Sequence, residues 1–162
     1  MIHSAPAVLN LLCGKIASGK STLAKRLAEA PGSVLICEDQ WLAQLYPGLI
    51  HSVADYVLHA QRLKNALEPL IITLLRGGTH VVLDFPANTL AQRAWLRALA
   101  DKAQAEHRLH LLNVDEDVCL TRLRERNSQG DHPFSTSEEQ FELICRYFVP
   151  PQAEEGLHIL EH

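Results

Sequence analysis

A chain of 162 residues, 47% hydrophobic and 21% charged, is long enough for one substantial core and fits a single domain over 1–162. Its formal net charge is −4, and no segment gathers five or more basic residues without acids among them, which weighs against a surface built for nucleic-acid backbones. No apolar run approaches bilayer length and the N-terminus lacks a basic stretch, so neither a membrane span nor a signal peptide is expected, and a cytoplasmic setting is.

In chain order, Val8–Cys13 reads as a buried strand. It runs directly into Gly14-Lys15-Ile16-Ala17-Ser18-Gly19-Lys20-Ser21, a complete G-x-x-x-x-G-K-S loop, and a helical pattern from Lys20 to about Ala30 follows, ending at Pro31-Gly32. Strand, loop and helix are the context this phosphate-binding motif needs. The two glycines let successive backbone N–H groups turn inward as an anion nest, and the helix adds its positive N-terminal end. Gly14, Lys15, Ile16, Ala17, Ser18, Gly19, Lys20, Ser21 and Thr22 are therefore the expected contacts to a nucleoside triphosphate. Lys20 is placed to reach the β- and γ-phosphates, and the Ser21 hydroxyl to ligate Mg²⁺.

A second strand, Val34–Cys37, is followed by Glu38-Asp39. Trp41, Tyr46, His51 and Tyr56 then crowd the segment before a long helical pattern, Asp55–Arg76. That pattern puts Leu63, Leu67, Leu70, Ile71 and Leu74 on one stripe, and Pro69 inside it predicts a kink or a break. A third strand, Val81–Leu83, ends at Asp84, and a helix begins near Asn88 or Thr89. Leu109–Val114 reads as a fourth strand, with a helix from about Asp115. Ser135 through Glu139 looks like a capping-box start for a helix burying Phe141, Ile144, Cys145 and Phe148. Leu157–Leu160 supplies a fifth strand. Alternation of this kind predicts an α/β fold, a parallel sheet with helices on both faces, whose ligands bind beyond the C-terminal strand ends. Cys13, Cys37, Cys119 and Cys145 form no C-x-x-C pair and read as reduced thiols. The nine histidines show no ligand spacing, and no structural zinc is expected.

The order of these motifs resembles the small P-loop kinases, in the branch containing zeta toxins, gluconate kinase, chloramphenicol phosphotransferase and polynucleotide kinase. The resemblance spans nearly the whole chain. It rests on the loop Gly14 to Ser21, the acid in Cys37-Glu38-Asp39-Gln40-Trp41, Val81-Val82-Leu83-Asp84 with Asn88-Thr89 and Arg93, and the arginine-bearing Arg122 to Asn127. It implies a three-layer P-loop NTPase fold with a five-stranded parallel sheet in the order 2-3-1-4-5. It also implies ATP as donor, an acid after strand two acting on the acceptor hydroxyl, and an arginine segment leading into a lid over ATP at about 122–137. Unlike the polynucleotide kinase pattern, Phe85-Pro86-Ala87 separates Asp84 from the polar pair Asn88-Thr89.

Each candidate carries an alternative. Asp39 is the expected base, with Glu38 competing, or else Asp39 caps the helix that follows. Asp84 is expected to hold Mg²⁺ or to touch substrate, or it caps the Phe85-Pro86 loop. Arg122 and Arg126, four apart on one helix face, suit a phosphate clamp or a solvated basic face. Arg93 reaches acceptor or phosphate, or lies on the surface. Trp41 and Tyr56 stack on an acceptor bound at about 39–60, or pack that segment onto the sheet. Together these point to an ATP- and Mg²⁺-dependent kinase acting on the hydroxyl of a small molecule. A polynucleotide 5′-hydroxyl kinase, with nucleic acid possible but not favoured, and a nucleotide switch using Gln40 or Gln92 to position water stand as rivals.

Overall fold

The computed structural model describes residues 5–130 and 135–162, so part of the expected lid, residues 131–134, lies outside the described residues. Five strands, β1 (Val8–Cys13), β2 (Ser33–Cys37), β3 (His80–Asp84), β4 (Glu106–Leu111) and β5 (Ile159–Glu161), form one sheet in the order β2-β3-β1-β4-β5. All four pairings are parallel, with Leu9 against Val81 and His107, and Cys37 against Asp84. The central strand is β1, buried on both faces as its apolar run demands.

Among the described residues six α-helices accompany the sheet: α1 (Lys20–Ala28), α2 (Glu38–Leu45), α3 (Val53–Arg76), α4 (Leu90–Ala103), α5 (Glu116–Gln129) and α6 (Glu138–Tyr147). Alternate β1 side chains divide between two layers. Leu9, Leu11 and Cys13 join Leu63, Leu67, Ile71, Leu96 and Leu99 of α3 and α4, while Leu12 meets Ala24 of α1 and Val82. A satellite cluster of Cys119, Leu123 and Phe141 ties α5 to α6 and receives Ile16 and Ala17 of the phosphate loop. The sheet thus presents the C-terminal ends of β1, β2 and β3 side by side, and the chemistry-bearing residues follow those ends.

Several sequence expectations shift. Helix α3 continues through Pro69, so no break occurs. Asn65 and Pro69 are both exposed, which lets water take the bond that the missing N–H would have given the Asn65 carbonyl. On α3 the buried stripe is Ala60, Leu63, Leu67, Ile71 and Leu75, with Leu70 exposed. Strand β4 begins at Glu106 and stops at Leu111, three residues short of the expected Val114. Leu112 leaves the sheet instead, donating its N–H to the Cys13 carbonyl at 2.8 Å and lying buried under the loop. Helix α6 starts at Ser137 with a Ser137–Gln140 capping box, and Ile144 faces solvent while Phe141 takes the core position. A separate helix α2 begins directly at Glu38 with Cys37 as its N-cap, so Asp39 lies in its first turn rather than capping it.

Candidate functional site

The phosphate loop is shaped by two different uses of glycine. Gly19 has φ +99°, which an L side chain rarely adopts. Gly14 is needed for space, because a Cβ there would come within 2.6 Å of Ser18 Oγ and 3.0 Å of the Leu112 carbonyl. Ala17 also sits in the left-handed region at φ 61°, a strain on the order of 1 kcal/mol that non-glycine residues carry mainly at functional turns. Helix α1 opens from Gly19 with no side-chain cap, leaving its first N–H groups available to an anion. The Ser18 hydroxyl oxygen is buried with no hydrogen-bond partner. An uncapped helix start, an orphaned hydroxyl and a left-handed turn fit a phosphate chain.

Lys20 Nζ lies across this cradle, donating to the carbonyls of Gly14 and Lys15 at 2.7 Å each. Burial lowers its pKa, with Asp84 pulling the other way. Lys15 turns outward, pairing with Glu116 at 2.6 Å and lying over the Phe148 ring, so its backbone faces the loop and its side chain anchors α5. Ser21 Oγ donates to Asp84 Oδ2 at 2.8 Å. The two residues expected to serve Mg²⁺ therefore meet, a hydroxyl and a carboxylate oxygen of the hard donor type that this cation takes.

Beyond β2, the two acids separate. Glu38 is 1% exposed; one carboxylate oxygen accepts from the Tyr56 hydroxyl at 2.5 Å and the other is buried with no partner. Desolvation pushes its pKa up to about 7, against the lowering influence of that Tyr56 bond. Tyr56, expected as an acceptor contact, is thus engaged in positioning Glu38. Asp39 is half-buried on the first turn of α2 and lies within electrostatic reach of Arg126. Trp41 is exposed, whereas Tyr46 stacks on His59 with ring centroids 4.1 Å apart.

Glu38 carries a sign-definite expectation. Its folded pKa near 7 exceeds the usual 4.5, so the unfolded chain releases this proton first. Stability tied to the neutral carboxyl is complete below about 4.5 and drains away as pH rises through 7. Glu38→Gln should therefore be more stable than the native chain at pH 8, by on the order of 3 kcal/mol, and equal to it near pH 4. Urea unfolding at several pH values checks this, and a pH-independent difference would refute it.

The arginines divide as well. Arg126 is half-buried, its Nε is buried without a partner, and burial lowers its pKa. Arg122 is exposed and lines a cavity of about 430 Å³ with Ser18, Gly19, Thr22, Leu112 and His162. Arg124 is paired outside with Glu138. Arg93 is 1% exposed rather than on the surface, pairs with Glu155 at 2.8 Å, and donates to the carbonyls of Ala87 and Val149 at 3.0 and 2.8 Å. It ties α4 to the C-terminal segment and borders a cavity of about 340 Å³ with Arg97, Glu155 and Leu157.

Sequence reasoning passed over three features. Asn88 Oδ1 accepts from the Gly14 N–H at 3.4 Å. Gln92 is taken up by a capping box with Thr89 and by the Asn88 N–H. His162 meets His110, which in turn meets Asn10, beside the cavity, contacts made by sheet register between distant residues and carrying no local signal. Asp115 is the N-cap of α5, four residues beyond β4.

The family model described as an AAA domain matches residues 9–151. No curated protein matches the sequence. Among solved structures, a provisionally assigned kinase from Chloroflexus aurantiacus superposes with a TM-score of 0.74 at 22% identity, over 99% of this chain and 86% of that one. A chain of the Pnkp1/Rnl/Hen1 RNA repair complex gives 0.68 at 19% identity, over 90% of this chain but 45% of that one. Chaetomium thermophilum Kti12 in complex with ADP-AlF3 gives 0.67 at 17% identity, over 94% and 88%. At such identities the likeness is one of fold.

Proposed function

The chain belongs to the AAA domain family, with a P-loop kinase-like fold, and from that premise we propose that it is an ATP- and Mg²⁺-dependent phosphotransferase whose acceptor is a hydroxyl of a small molecule. The observation that carries the reading is the 2.8 Å bond between Ser21 and Asp84, which gathers a hydroxyl and a carboxylate beside an uncapped helix N-terminus and Lys20. When bound there, Mg²⁺ supplies charge neutralisation between the β- and γ-phosphates. The backbone N–H groups of the loop hold the phosphate chain, and Lys20 and Arg126 stabilise charge gathering on the transferred group. The acceptor oxygen forms the new bond to the γ-phosphorus as the bond to the β–γ bridging oxygen breaks. Asp39 takes the acceptor proton, and ADP leaves. Arg122 covers the phosphates from the cavity side. The reaction belongs in the cytoplasm, where ATP is supplied and the four free cysteines would stay reduced. Among the described residues no helix is long and apolar enough to cross a membrane.

The test is ATP turnover with and without a library of hydroxyl metabolites. Strong stimulation by one compound, with phosphate recovered on it, supports the reading; turnover indifferent to every compound refutes it. With that compound, Asp39→Asn should lower kcat by about 10²-fold at nearly unchanged KM for ATP. If Asp39→Asn retains activity and Glu38→Gln loses it, the base is Glu38. A polynucleotide acceptor is the second reading, drawn from the RNA repair likeness. A net charge of −4 weighs against it, and a 5′-hydroxyl oligonucleotide in the same library decides. The switch reading is weakened because Gln92 is already engaged in capping α4.

A further inference from the structure

The sheet face beneath α1 carries a chain of polar side chains that phosphoryl transfer does not use. His110 is 4% exposed; its Nε2 lies 2.9 Å from Asn10 Oδ1 and its Nδ1 2.9 Å from His162 Nε2. Burial, then His162 and Arg108, hold the His110 pKa down at about 4, so the ring is neutral at pH 7 and carries one N–H. A carboxamide oxygen can only accept, which puts that proton on Nε2. His110 Nδ1 is then a bare lone pair and can only accept in turn. His162 must supply the proton from its own Nε2, and in its neutral form it keeps Nδ1 as an acceptor. Three distant residues thus fix the tautomer of a ring at the edge of a cavity.

That cavity, about 430 Å³, adjoins Gly19 and Thr22 of the phosphate site, with Leu23 and Leu112 supplying apolar surface and Arg26 and Arg122 positive charge. Because Ser18, Gly19 and Thr22 of the phosphate site line the same cavity as His162, a triphosphate held by the loop has room there for its nucleoside. We propose that His162, oriented by His110 and Asn10, is the base-reading residue of this cavity, its Nδ1 accepting from the exocyclic amine of a 6-aminopurine and so selecting ATP over GTP. The inference rests on the nucleotide-binding reading above. A 6-oxopurine would set a carbonyl oxygen against that lone pair, leaving both unpaired. Because His162 is partly open to water, the preference should be modest, about five- to ten-fold in Kd.

Two measurements test it. Histidine ¹⁵N shifts of the nucleotide-free chain should show His162 protonated at Nε2 and bare at Nδ1; the opposite tautomer overturns the proposal. Equilibrium binding of ATP and GTP should show the stated preference in the native chain, falling to near parity in His162→Ala and, through loss of the orienting bond, in His110→Phe. Lys20→Ala should weaken both nucleotides alike and leave their ratio unchanged. Equal binding of ATP and GTP by the native chain, or a ratio untouched in His162→Ala, overturns this inference alone. Failure of the native chain to bind either nucleotide overturns the parent reading with it. His110→Phe buries its ring in the core; if that variant unfolds, His162→Ala, at an exposed chain position, still decides.

Discussion

Replacing Lys20 by alanine should reduce phosphoryl transfer by on the order of 10²-fold or more, the scale of removing a major stabiliser of transition-state charge. The fold should survive. Among the described residues Lys20 Nζ bonds to the carbonyls of its own loop, Gly14 and Lys15, and it is not part of the three apolar clusters. Measured kcat/KM with the stimulating acceptor, alongside a thermal melt, separates the two consequences. Normal turnover in Lys20→Ala would sink the assignment of the loop.

Arg93→Met should instead cost stability, by about 3–5 kcal/mol, the range expected when one member of a buried ion pair is removed. Met fills much of the volume but leaves Glu155 without its cation and the Ala87 and Val149 carbonyls without donors. Urea unfolding measures the loss. Adding Glu155→Gln to Arg93→Met should recover part of it, because the stranded charge is then gone. An unchanged midpoint in Arg93→Met would mean that the pair contributes nothing net.

The contrast between these two residues shows what a sequence exposes. Lys20 is legible because its role is local: strand, loop and helix are contiguous, and the motif spacing follows from the geometry of a phosphate cradle. The sheet order came with the resemblance to the P-loop kinases, and Ser21 and Asp84 were each legible as Mg²⁺ candidates because both follow C-terminal strand ends. Arg93 was not. Its partners lie 62 residues away at Glu155 and in a carbonyl of Val149, and nothing in the helix pattern of α4 distinguishes an arginine facing inward. Glu38 was named only as a rival to Asp39, because burial to 1% depends on α3 folding over α2. The end of β4 was misplaced because an apolar run continues past Leu111, although the sheet stops where the loop after β1 turns away.

The strand order also constrains how the protein is made. Central strand β1 is synthesised before its partners, which are residues 81–83 and 106–111. During synthesis it cannot complete both of its pairings until residue 111 has emerged. Loop closure over such separations makes the pairing slow relative to helix formation, and unpaired apolar strands are the surfaces that associate wrongly in the interval. Nascent chains halted before β4 can pair β1 with β3 and cover it with α1, α3 and α4, but the phosphate loop, whose floor is Leu112, is completed late. Nucleotide cannot template the early steps of folding; it can only reward a chain that has already closed its sheet.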